Sequence, residues 1–313
     1  MTDLVTSILA TSIPLTVPIL LAALGEVFAE RSGVINMGVE GIMGLSAFSS
    51  LWIAFSTGSY FLGILAAIGT AAVLGLLHSF ACIKIGINQL IMGLLVFTLG
   101  NAIADYFYRT IINTGVVPFV KPLQPVTIPL LTQIPYIGPI IFHQNVLVYF
   151  AFILAVILGF VLYRTTWGLK IRSVGENPEA ADSAGINVNL VRLLCVIFGA
   201  TLAGLAGASL TIGYLGIYNT GDTIIAGRGW IALVVVIFAR WSPYRAILGS
   251  WVFGVGFALA FALIGSGSSI IGSLASAPYF IQMLPYIFAL VVILIFHKGI
   301  RQPSSLTVPY HRK

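Results

Sequence analysis

Glu26, Glu30, Asn36 and Glu40 fall within GEVFAERSGVINMGVEGIMG (25–44), between long apolar runs. Asn88, Gln89, Asn101 and Asp105 accompany a second apolar run. Carboxylates and amides in such surroundings can hydrogen-bond a polar solute, or carry a proton or cation in ion-coupled transport. Each charge at membrane depth costs at least about 2.5–3.5 kcal/mol on insertion scales, so these positions need a reason. Glu26 and Glu30 lie one helical turn apart and can share a face with Arg31 as counter-ion; Asn101 and Asp105 repeat that spacing. Gly25, Gly33, Gly38, Gly41 and Gly44 weaken helix continuity. Together they point to a broken helix whose freed backbone groups face protein or an aqueous cavity. The alternative is an ordinary loop between two spans, with Glu40 alone embedded. For the 88–105 group the alternative is a set of hydrogen-bonded ties between helices. Asn219, Thr220, Asp222, Thr223 and Arg228 form a further polar patch, expected near an outer mouth.

Nothing in the chain has the spacing of a catalyst. There is no G-x-x-x-x-G-K-[ST] phosphate loop, and no G-x-S-x-G, H-E-x-x-H or C-x-x-C site. His78 and His143 are isolated from other metal-ligand types and read as structural. Cys82 and Cys195 fall in apolar runs and read as small packing residues.

One segment is wet throughout. RTTWGLKIRSVGENPEAADSAGINVNLVR, residues 164–192, holds Arg164, Lys170, Arg172, Glu176, Glu179, Asp182 and Arg192. Such a stretch cannot cross a bilayer and must lie in water at one face. Its excess of Arg and Lys assigns that face to the cytoplasm by the positive-inside rule. Within it, Asn177 suits the N-cap of a helix that Pro178 opens, and Glu179 and Asp182 suit its positive end. Gly185 suits the stop. The spacing predicts a helix of about two turns, too short to stand without packing.

The elements that must position these residues are membrane helices. The 313 residues are 59% hydrophobic and 8% charged, with mean hydropathy +1.06. Soluble domains carry roughly 25% charged residues, so a soluble fold is excluded. A span needs about 20 apolar residues. Helices are expected near 5–25, 34–55, 61–82, 86–108, 146–163, 193–213, 229–240, 246–264 and 283–297. The fold class is therefore all-α: a polytopic integral membrane protein with about 8–10 transmembrane helices, at least one of them broken. The run 229–240 is short and fits a tilted or broken helix. The absence of a basic region before the first run argues for a first span rather than a cleaved signal.

Counting outward from 164–192 puts the His297, Lys298, Arg301, Arg312 and Lys313 cluster and the turn ARWSPYR in the cytoplasm, and the N-terminus outside. It also puts the loop at about 109–145 outside, with six prolines that stiffen it as a docking surface or as a lid over helix ends. The small residues Gly199, Ala203, Gly207 and Ala200, Gly204, Ala208 repeat at four-residue spacing, which lets helix backbones approach closely. The net charge of +6 reads as orientation signal and anionic-lipid contact, not nucleic-acid binding.

Three segments then carry a resemblance. GLKIRSVGENPEAADSAGINV resembles the cytoplasmic coupling segment of ABC importer permeases for branched-chain amino acids, simple sugars and nucleosides. GEVFAERSGVINMGVEGIMG and GRGWIALVVVIFARWSPYRAILGS are similar to the smaller permease subunit of nucleoside importers served by basic-membrane-protein lipoproteins. The resemblance spans roughly residues 14–300. It implies one transmembrane permease domain over 1–313, in a prokaryotic inner membrane. By it, Glu176, Asn177, Pro178, Ala180, Ala181 and Gly185, with Glu179 and Asp182, contact a separate ATPase. It also implies a second related permease, two ATP-binding cassette domains holding the ATP and magnesium, an external binding lipoprotein, and no cofactor on this chain. Substrate is expected to pass between the permeases near Glu26–Glu40 and Asn88–Asp105. Nucleosides are the expected cargo, with riboflavin or a simple sugar as alternatives. An ion-coupled carrier using Glu30 or Glu40 is the competing class.

Overall fold

Runs of this apolarity form helices because a backbone in lipid has no other partner for its amides. The computed structural model describes all residues except 1, 128, 130, 133, 136, 221–223, 266–279, 282, 297–300 and 311–313. Asp222, Thr223, His297, Lys298, Arg312 and Lys313 lie outside the described residues.

Helix α1 (Thr2–Arg31) is followed by α2 (Val39–Thr57), α3 (Tyr60–Ser79, extended by a π-helical stretch Phe80–Ile85) and α4 (Gln89–Asn113). The next connection holds two short strands, β1 (Val126–Thr127) and β2 (His143–Gln144), paired antiparallel around a short helix α5 (Ile137–Ile141). Then come α6 (Val146–Arg164), α7 (Thr166–Glu176), α8 (Pro178–Ser183) and α9 (Val188–Leu210, with a π-helical stretch Thr211–Leu215). The chain continues through α10 (Arg228–Phe238), α11 (Pro243–Gly265) and α12 (Leu284–Phe296).

Among the described residues, seven helices are long and apolar enough to cross a membrane. The chain is a multi-pass helical membrane protein. The expected span at 229–240 is a helix of 11 residues, shorter than a full crossing, and the one at 283–297 is helical over the described residues Leu284–Phe296.

Helix α9 is the hub, and its small residues make it one. A Cβ on Gly199 would lie 2.8 Å from the Gly25 carbonyl of α1. On Gly204 it would meet the Ala67 carbonyl of α3, and on Gly207 the Met43 carbonyl of α2. The four-residue repeat thus buries α9 against three helices at backbone distance.

The long connection folds back over the bundle. Val120 and Leu123 donate their amides to the carbonyls of Gly216 and Ile212 at the end of α9. Of the two readings of this loop, covering a helix end is the one these bonds display. Gln144 has a second task. Pro14 lies inside α1 and lacks an N–H, which frees the Ala10 carbonyl four residues earlier. The Gln144 amide donates to that carbonyl at 3.1 Å.

Candidate functional site

The expected break near residues 25–44 exists, but it is narrower and differently placed. Helix α1 runs unbroken through Gly25 to Arg31, so Glu26 and Glu30 are helical. Gly33 (φ +98°) ends it, with the Val34 amide donating to the Ala29 carbonyl five residues back. That is how a left-handed glycine closes a helix.

Beyond Val34 the chain climbs through the bundle over residues 35–38, where the amides of Ile35, Asn36 and Gly38 donate to side chains rather than to helical carbonyls. Gly38 meets Val96 of α4, seven residues past Gln89, so α2 starts about 10 Å in from the end of α4. Protein groups replace the missing partners. The Ile35 amide donates to Gln89 Oε1 at 2.9 Å, the Asn36 amide to Glu26 Oε2 at 3.3 Å, and the Gly38 amide to Asn36 Oδ1 at 3.0 Å. His78 Nε2 meets the Ile35 carbonyl at 3.1 Å. Glu26, Asn36 and His78 are fully buried, and Glu26 Oε1 and Asn36 Nδ2 remain without a partner. The reading of an ordinary loop with Glu40 alone embedded is therefore overturned.

Arg31 is not the counter-ion expected for Glu26 and Glu30. It reaches the α10–α11 turn, donating to the carbonyls of Trp241 and Arg240. Glu30 accepts from the indole N–H of Trp241. Arg240 and Trp241 both have positive φ (51° and 54°), uncommon for large side chains. The Arg31 and Glu30 bonds hold this strained turn in place.

Glu40 opens α2 and closes on α10. Its two carboxylate oxygens accept from the amides of Gly227 (2.7 Å) and Gly229 (2.6 Å). An acidic group there satisfies amides that have no partner at a helix start, and faces the positive end of the dipole. This explains why the 229–240 run is short: its N-terminus stops inside the bundle on a carboxylate. Arg228 follows, buried and stacked 4.2 Å from the Phe257 ring centroid.

The remaining expected site residues lie along α4 and at its cap. Asn101 is buried with its Oδ1 against Gly44 of α2, and Asp105 is half-buried one turn on. Asn88 is exposed and caps α4, accepting from the amides of Leu90 and Ile91.

The polar segment 164–192 becomes two helices. Helix α8 follows the expected plan: Asn177 Oδ1 accepts from the Ala180 amide at 3.0 Å, Pro178 stands in the first turn, and Gly185 follows the end with φ +81°. Glu179 and Ala180 are exposed and Ala181 is buried, so one face is free and one packed. Replacing Asn177 by Ala should destabilise this helix by about 1 kcal/mol, read as faster hydrogen exchange at the Ala180 amide. An unchanged rate would mean that packing alone holds it.

Before α8 runs α7, whose Gly175 sits on the end of α1. A Cβ there would run into the Arg31 carbonyl. Arg192 is the correction in this segment. It is buried rather than solvated, donating to the carbonyls of Ser32 and Val308 and to Ser305 Oγ. The carbonyls left over where α1 ends make a polar niche that a guanidinium fills. The tail completes the junction. Ser305 bonds the Gly175 carbonyl, Ser304 Oγ donates to Glu176 Oε2, and the Thr307 amide donates to the Gly33 carbonyl. The roles of Trp241 and of the 304–308 tail were missed by the sequence reading, which named Arg228 only as part of a polar patch; for the tail the sequence carried no signal.

Comparison with known proteins gives the following. Residues 8–297 match the family described as branched-chain amino acid transport system / permease component. The nucleoside ABC transporter permease protein NupC of Lactococcus lactis subsp. cremoris is 33% identical over 97% of this chain and 96% of its own. The guanosine ABC transporter permease protein NupQ of Bacillus subtilis is 34% identical over 98% of each. A Haloferax volcanii protein provisionally named as a glucose ABC transporter permease, TsgC13, is 37% identical over 76% of this chain and 71% of its own. No solved structure matches significantly.

Proposed function

The chain belongs to the branched-chain amino acid transport permease family, and from that premise we propose that it forms half of the membrane pathway of an ATP-driven nucleoside importer. It is an ABC transporter permease, a pore-forming subunit rather than an enzyme. Near full-length similarity to two permeases named for nucleosides carries the substrate reading. In this reading the chain pairs with a second permease, two ATPase domains that bind ATP and magnesium, and an external binding lipoprotein, in a prokaryotic inner membrane. The end that bears α7 and α8 faces the cytoplasm.

The coupling role falls to Glu176–Asp182 and Gly185. Motion of the ATPases would push α8 and α7. Gly175 would pass that push to the end of α1 through backbone contact, because two packed backbones have no side chain to yield between them. The break at 32–38, with Glu26 and Asn36, and the α10–α11 turn, with Glu30, lie next along that path. Glu40, with both oxygens engaged, serves the pathway by holding α10 rather than as a shuttling carboxylate.

Two measurements test this. The four-component complex in proteoliposomes should take up labelled guanosine or uridine only with ATP and binding protein present, and glucose should not compete. Transport by this chain alone, driven by an imposed proton gradient, would establish the ion-coupled class instead. Second, the double variant Glu179→Arg/Asp182→Arg should insert normally and lose copurification of the ATPase. Retained ATPase would sink the coupling assignment.

A further inference from the structure

A groove of about 260 Å3 opens on the surface of the bundle between α1, α6, α7 and α9. Phe28 of α1, Leu158 and Val161 of α6, Trp167 and Ile171 of α7, and Leu194 of α9 line it. Each lies within two helical turns of the point where α1 and α6 stop or α7 and α9 start, so the groove sits just inside one end of the bundle. Trp167 and Leu194 are 55% and 43% exposed, and α6 exposes Ile157 and Phe160 on the turns that carry Leu158 and Val161. An apolar surface of this kind on membrane spans faces acyl chains or an apolar partner. Cations stand at its rim. Only Thr165 separates α6 from the amphipathic α7, and its hydroxyl accepts from the Gly168 amide at 3.2 Å, so α7 starts where the span ends. Arg164 is exposed, one turn beyond Val161. Lys170 Nζ lies 5.4 Å from the centroid of the Trp167 ring, which keeps the ammonium beside the groove wall. Residues 164–175 include no Asp or Glu.

We propose that this groove holds one acyl chain of an anionic phospholipid, with Arg164 and Lys170 meeting its headgroup. The charge at the rim and the apolar walls select the two halves of that ligand together. Long Lys and Arg side chains at the end of a span carry their charge out to headgroup level, where an anionic lipid attracts them. Trp167 has the amphipathic ring that suits the same boundary. A soluble anion would meet the two cations and leave the groove unfilled. A zwitterionic lipid would fill the groove but bring its own cation against Arg164 and Lys170. The third cation of the segment, Arg172, is held elsewhere, over the Tyr163 ring and against the Gly168 carbonyl. The site depends on the membrane placement of the chain and not on its cargo.

The test uses the complete transporter in vesicles of phosphatidylcholine and phosphatidylglycerol, with one lipid or the other carrying a diazirine on an acyl chain. At equal amounts of probe, label from phosphatidylglycerol on peptides of α6, α7 and the start of α9 is expected to exceed that from phosphatidylcholine about tenfold, because two cations attract the headgroup. The double variant Arg164→Gln/Lys170→Gln should insert, keep the ATPase and take label equally from both lipids. Val161→Trp fills the groove and should lose label from both. Equal label from the two lipids on the wild type, or a preference that survives the double variant, would overturn the anionic-lipid assignment. Label undiminished by Val161→Trp would show that the chain lies outside the groove. Loss of the ATPase from the double variant would assign the two cations to that partner. Wild-type peptides labelled by neither lipid would mean that a protein covers the groove, and either result overturns the site.

Discussion

Replacing Glu40 by Ala is expected to destabilise the folded protein by about 2–6 kcal/mol, because two amides, one buried and one partly buried, lose their acceptor at once. Gly227 and Gly229 donate to separate oxygens of this carboxylate, and each donor stranded inside a protein costs ~1–3 kcal/mol. The variant also removes the negative charge from the start of α10 and leaves Arg228 without its neighbour. Glu40→Gln keeps one acceptor oxygen but turns an NH2 donor toward the other amide, so its loss should fall between wild type and Ala. Thermal unfolding of the detergent-purified complex, with the surviving monodisperse fraction, reads the series. Equal stability of all three proteins would show that α10 does not depend on this cap.

The second large effect is expected at Gly175. A Leu there would drive its Cβ into the Arg31 carbonyl, and backbone cannot swing aside as a side chain can. Helix α7 must then lift from α1, breaking the Ser305 bonds to the Gly175 carbonyl and loosening the Arg192 niche. Overpacking of this kind costs typically ~1–3 kcal/mol, which a protein buried on many other faces survives. Transport should suffer far more than folding. The expected result is normal membrane insertion, retained ATPase binding through α8, and nucleoside uptake reduced at least tenfold per ATP hydrolysed. Uptake and hydrolysis falling together would instead place the defect at the ATPase contact.

Each of these variants acts on a contact that the linear sequence hides to a different degree. The α8 helix was legible because its determinants are local. Asn177, Pro178 and Gly185 lie within one short stretch, and capping depends on backbone geometry over a few residues. The spans were legible for the same kind of reason, since apolar length alone decides whether a helix suits a bilayer. The break near Gly33 was legible in outline, from charges and glycines among apolar residues. Its limits were not: Gly25 lies in a helix because it packs on Gly199, a contact across the bundle. Arg192 was misread as solvated because neighbours in sequence are polar, while its partners Ser32 and Ser305 are distant in sequence.

Composition and spacing alone thus determined that this chain is a bundle of membrane helices with a short capped helix outside the lipid and with carboxylates placed between its apolar runs. These follow from solvation and local backbone preference, which act residue by residue. Which helix end each carboxylate serves was decided only by the tertiary structure. Glu30 meets Trp241, and Glu40 meets Gly227 and Gly229. Those pairings join residues far apart in the chain, and local backbone preference cannot specify them.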